Sequence, residues 1–177
     1  MGDDERRADP MGADLPTVVS VDALVAQRER WRRAGRSVVW TNGCFDLLHA
    51  GHVLGLADAR ALGDVLVVGI NDDASVRRLK GPERPIVPLA DRVTIVAALA
   101  AVDHVVVLED DTPTAVLERL RPDVHCKGGD YGAGDTLAER ETVERAGGQV
   151  RILPLHDGRS TTAIVADIRA RRATSDG

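Results

Sequence analysis

Apolar residues along the chain follow two rhythms. Short runs rich in Val, Leu and Ile alternate with longer stretches in which apolar positions recur every three or four residues. The short runs predict buried strands: SVVWT (37–41), DVLVVGI (64–70), HVVVL (104–108), DVHCK (123–127) and VRILP (150–154). The longer stretches predict helices. The first covers 20–34, with Ser20 as N-cap and Gly35 as stop. The next covers 51–63, with Val53, Leu54, Leu56, Ala57, Ala61 and Leu62 forming its apolar side. A short helix starts at Asp72 or Asp73 and runs through Leu79, and further helices cover 90–102, 112–120, 135–147 and 160–173. In the 112–120 helix Thr112 reads as N-cap and Pro113 as the first helical residue. KGPERPIVP (80–88) carries three prolines and predicts an irregular loop.

Strand and helix alternate throughout. Right-handed crossovers then give an α/β fold: a Rossmann-like three-layer sandwich with an open, mostly parallel sheet of about five strands. Residues 18–173 form one domain in this reading, after a disordered leader (1–17) and before a short disordered tail (174–177). Met11 offers an alternative start within the leader.

Composition sharpens this picture. Of 177 residues, 44% are hydrophobic and only 2% aromatic, so the core is built from aliphatic side chains. Few aromatics and a net charge of −5 argue against nucleic-acid binding, which needs stacking platforms and a basic field. Two cysteines, Cys44 and Cys126, make no disulfide framework and read as small packing residues. With no long apolar run and no signal peptide, the expected location is the cytoplasm, with no membrane span.

In an open parallel sheet, ligands bind beyond the carboxyl ends of the strands. Polar residues and glycines gather there. The first strand is followed by Asn42, Gly43, Cys44, Phe45 and Asp46, then His49 and His52. Asn71 follows the second strand; Lys127, Gly128, Gly129 and Asp130 follow the fourth. His49 and His52 fall at a helix entry, where unpaired N–H groups and the helix dipole favour phosphate. Gly51 between them leaves room for close approach. By itself the pair leaves three readings open: phosphate chemistry, a zinc site with Cys44, or packing at a helix start. Neither a P-loop nor a G-x-G-x-x-G fingerprint is present.

GCFDLLHAGH (43–52) resembles the G-x-F-D-x-x-H-x-G-H signature of the cytidylyltransferase-like nucleotidyltransferase superfamily, and GRSTT (158–162) resembles its second motif. The resemblance covers roughly residues 36–170. CKGGDY (126–131) and INDDASVRRLKGPERPI (70–86) are similar to the branch that adenylylates D-glycero-β-D-manno-heptose 1-phosphate. The resemblance implies transfer of AMP from ATP to a sugar 1-phosphate, with Mg²⁺ bridging phosphates. It further implies a sugar kinase on a separate chain and a homodimer. The Arg-Thr pair of glycerol-3-phosphate cytidylyltransferases is replaced here by Leu155 and His156, which favours ATP over CTP.

The residues take the following roles under that resemblance. His49, His52 and Lys127 stabilise charge during transfer. Gly43, Cys44, Phe45, Gly51, Lys80, Arg92, Arg159, Ser160, Thr161 and Thr162 hold the nucleotide, with Lys80 in a lid loop and Arg92 on phosphate. Asp46, Asn71 and Asp130 face the sugar; Asp46 alternatively orients a histidine or caps a helix. No protein ligand is assigned to the metal. A CTP-dependent enzyme acting on an alditol phosphate and a non-catalytic nucleotide sensor are the competing readings.

Overall fold

The computed structural model describes residues 17–128, 137–154, 161, 164–168 and 171. In chain order the elements are α1 (Val21–Arg33), β1 (Val38–Gly43), α2 (Ala50–Arg60), β2 (Val65–Asn71), α3 (Asp73–Lys80), α4 (Leu89–Ala97), β3 (His104–Leu108), α5 (Thr114–Leu120), β4 (Val124–Gly128), α6 (Leu137–Arg145) and β5 (Gln149–Leu153). Residues 164–168 are helical as well. The strands form one sheet in the order β3-β2-β1-β4-β5, and every pairing is parallel.

The chain winds outward from β1 to β2 and β3, then returns to place β4 and β5 on the other side. The order thus reverses between β1 and β4, paired in register at Trp40 and His125. A crevice opens at such a reversal, beyond the strand ends.

Alternation along the strands divides the core in two. Val39, Leu66, Val68, Ile70 and Cys126 pack with Leu56, Ala59 and Val96 on one face. Val38, Trp40, Val65 and Val67 pack with Leu24, Trp31, Leu117 and Val143 on the other. Both tryptophans therefore lie on the second face. Gly69 makes room for one of them: a Cβ there would sit 2.6 Å from Trp40 Cζ2. Burial drives the Cys126 thiol up to about 12, in keeping with an inert packing residue.

Local signals behave as their chemistry dictates. Ser20 Oγ accepts a hydrogen bond from the Ala23 N–H at 3.2 Å, and Gly35 takes a positive φ of 68° just past α1. Asp72 caps α3 by accepting from Ser75 N–H at 2.7 Å.

Several boundaries differ from the sequence reading. β1 continues through Asn42 and Gly43, which pair with Gly69 and Ile70, and β4 extends one residue further, to Gly128. α4 ends at Ala97, and the next residues form turns rather than more helix. Pro113, not Thr112, is the N-cap of α5, and it makes no side-chain cap bond. Val53 and Leu54 on α2, and Leu62 just beyond its end, stay about two-fifths exposed; Leu56 and Ala59 are the residues the helix buries. A helix laid across a twisted sheet buries only a narrow stripe, so its flanking apolar residues remain in water.

Candidate active site

Beyond Gly43 the chain turns sharply. Phe45 takes the left-handed conformation, φ 47°, and its ring folds back over Gly43. A Cβ on Gly43 would lie 3.3 Å from that ring, which gives this glycine its reason. The Phe45 ring is 9% exposed and packs against the His52 imidazole, with centroids 5.3 Å apart.

His49 is the N-cap of α2, in extended conformation. Its backbone N–H donates to His52 Nδ1 at 3.4 Å, and the two rings stack with centroids 3.9 Å apart. An Nδ1 that accepts leaves the proton of a neutral ring on Nε2. Burial, reinforced by the nearby His49, lowers the His52 pKa to about 4. His52 is therefore a neutral donor at physiological pH, placed at the entry of a helix with no acidic residue in its first turn. Such a group can hydrogen-bond phosphoryl oxygens without exchanging a proton.

Asp46 is placed differently from its expected roles. It is buried and accepts from the backbone N–H groups of Ile86 and Val87 at 2.7 and 2.9 Å. It also forms an ion pair with Arg84. Instead of facing a sugar or capping a helix, its carboxylate fastens the proline-rich loop to the histidine loop. Arg92 does related work. It is 1% exposed, and its guanidinium donates to the carbonyls of Val87, Cys44 and Asn71 and to the Asp73 carboxylate. This arginine is occupied by the protein rather than turned toward a phosphate. Five donors on one planar group can stitch three segments together, which lysine could not do.

Asn71 is also turned inward. Its amide donates to Ser75 Oγ and to the Asp110 carbonyl, not to open space. Lys127 is 4% exposed and ion-paired with Glu139 of α6. Strand alternation sets it on the same side as His125, across the sheet from Cys126. His125 itself is fully buried, and burial beside Lys127 lowers its pKa to about 3. In this structure Lys127 is thus tied to the helix layer through Glu139.

Lys80 is exposed as the last residue of α3, at the mouth of the 81–88 loop. Cys44 is half-buried within the histidine loop; burial raises its thiol pKa, opposed by the cations of Lys80 and Arg92. Thr161 Oγ1 donates to the Leu47 carbonyl at 3.3 Å, so the second motif meets the first across 114 positions. Asp130, Arg159, Ser160 and Thr162 lie outside the described residues. Among the described residues no three His, Cys, Asp or Glu side chains come together to hold a metal ion.

Arg84 and Glu139 were not anticipated from sequence. Arg84 carried a weak signal, a charged residue between prolines in the loop after the short 72–79 helix. Glu139 carried none, since it reads as one more surface charge on an amphipathic helix.

The sheet order, the helix entry with its stacked histidines and the returning Thr161 define a nucleotide-handling class. Residues 40–166 match the cytidylyltransferase-like family model, and the chain belongs to that family of nucleotidyltransferases. Among curated relatives, the bifunctional protein HldE of Syntrophotalea carbinolica is 54% identical over 140 residues, 79% of this chain and 28% of that protein. HldE of Magnetococcus marinus is 55% identical over 146 residues, 82% of this chain and 30% of its own. The chain thus spans less than a third of these relatives' length. The crystal structure of the lipopolysaccharide core biosynthesis protein of Thermoplasma volcanium superposes with a TM-score of 0.57 at 27% identity, over 68% of this chain and 97% of that one. Pantoate-beta-alanine ligase of Francisella tularensis shares the fold, with a TM-score of 0.57 at 14% identity over 83% of this chain and 69% of its own. Among the described residues no helix is long and apolar enough to cross a membrane.

Proposed function

We propose that this chain transfers AMP from ATP to a sugar 1-phosphate, D-glycero-β-D-manno-heptose 1-phosphate, releasing pyrophosphate. The observation that carries the reading is the neutral His52, stacked on His49 at the entry of α2 with its Nε2–H free of the Nδ1 contact. An acceptor phosphate oxygen attacks the α-phosphorus in line. The new P–O bond forms as the bond to the β-phosphate oxygen breaks, and the electron pair leaves with pyrophosphate. The nucleophile is already anionic, so no general base is required. His52 and the α2 N–H groups stabilise the charge that builds on the phosphoryl oxygens. Support for the sugar comes from the HldE relatives and from the match of 70–86 and 126–131 to the heptose branch.

In this reading Mg²⁺ arrives with the triphosphate and would supply charge neutralisation there. In this reading a sugar kinase supplies the acceptor, and both activities work in the cytoplasm. A pyrophosphate-release assay with Mg²⁺ tests the reading by crossing ATP and CTP with heptose 1-phosphate and glycerol 3-phosphate. Turnover is expected with ATP and heptose 1-phosphate. Turnover confined to CTP and glycerol 3-phosphate would instead establish an alditol phosphate cytidylyltransferase.

A further inference from the structure

A groove of about 640 Å³ runs between the 80–86 segment and the helix at 164–168, lined by Lys80, Glu83, Arg84, Ile86, Val165 and Ala166. Both walls are tied to the histidine loop. Arg84 reaches Asp46, three residues before His49. Thr161, four residues before Val165, donates to Leu47. The walls of the groove are therefore fixed relative to the loop that presents the histidines.

Arg84 is the unusual member. Its side chain is 20% exposed, and its Nε is committed to the 2% exposed Asp46. Among the described residues its two terminal nitrogens find no protein partner. An arginine held by its Nε on a buried carboxylate keeps an ordered fork of N–H groups, which fits two oxygens of one phosphate. The lining adds one further cation, Lys80, and one carboxylate, Glu83. That balance suits a ligand with a single phosphate and several hydroxyls. The volume falls in the range of small-molecule sites, about 300–1,000 Å³.

We infer that this groove is the acceptor subsite, with Arg84 binding the phosphate of the incoming sugar 1-phosphate and Asp46 positioning Arg84. The inference rests on the sugar-phosphate reading given above. The shared chemistry is a phosphate group, and it could also belong to ATP, so the test separates the two. In Arg84→Gln, KM for heptose 1-phosphate rises roughly 10- to 100-fold, the loss expected for a charged hydrogen bond, while KM for ATP stays within about twofold. Lys80→Ala, at an exposed helix end where folding is not at stake, raises the same KM by a smaller factor. A rise confined to KM for ATP, or no rise in either variant, overturns the assignment.

A second measurement does not depend on turnover. Heptose 1-phosphate is titrated calorimetrically into wild type and both variants, with and without α,β-methylene-ATP. Circular dichroism confirms that each protein is folded. Binding by wild type that Arg84→Gln loses and Lys80→Ala weakens supports the groove, even if the nucleotide assignment fails. Equal binding by all three proteins refutes the groove and leaves the transferase reading standing. Absence of binding to wild type in both conditions refutes both.

Discussion

At the residue scale, His52 shows how packing fixes chemistry. Its ring is wedged between Phe45 and His49, and the His49 N–H occupies Nδ1. Removing the ring in His52→Ala is expected to lower kcat about a hundredfold, the usual cost of one donor to a developing charge; steady-state assays check this. A loss under threefold would remove the role. Because the pKa lies at about 4, His52 contributes no titration step to the rate between pH 5.5 and 8.

Stability should respond to acid as well. His52 and His125 both take up protons more readily when unfolded, near the ordinary pKa of about 6.5, than when folded, at about 4 and about 3. Below that ordinary value the unfolded state binds more protons, so stability falls with falling pH. Their contribution is complete above about pH 6.5 and is lost progressively toward pH 3. Urea midpoints should drop across this window, with a shallower slope in His125→Leu. An unchanged slope would show that His125 is not the titrating group.

At the element scale, the 81–88 loop has one internal backbone bond, from the Arg84 N–H to the Gly81 carbonyl, and is otherwise held by two buried side chains. Asp46 grips it from the histidine loop and Arg92 from α4. Arg92→Leu leaves the Asp73 carboxylate and three carbonyls without this donor, and about 3 kcal/mol of stability should go with it. Denaturant unfolding measures the loss; a change under 1 kcal/mol would contradict this account. In the sheet, Gly69→Ala pushes a methyl into Trp40 and should cost about 1–3 kcal/mol.

These same elements show where sequence reading works. Val65–Asn71 and His104–Leu108 were legible because β-branched runs bounded by polar residues have few other solutions. The histidine loop was legible because its residues are consecutive. The partners of Asp46, Arg92 and Lys127 were not. Each pairs with a charge brought close only by the fold: Arg84, 38 positions from Asp46; Asp73, 19 from Arg92; and Glu139 on α6. Charge patterns along a chain do not specify such pairings, so these protein partners were not legible in the sequence.

At the scale of the whole molecule, the sheet order brings the site to the reversal between β1 and β4, with no metal cluster among the described residues. EDTA is therefore expected to stop turnover by stripping Mg²⁺ from ATP while leaving the melting temperature within about 1 °C. Unfolding on chelation would instead revive the zinc reading of Cys44, His49 and His52, since structural zinc supplies folding free energy.

The hydrogen bond from Thr161 to Leu47 also bears on what a shortened chain would lose. The five described strands all end by Leu153, so a chain cut there would keep every one of them but not the tie from Thr161 to the histidine loop. Such a chain would carry the residues of the sheet and lack one of the fastenings of its helix entry.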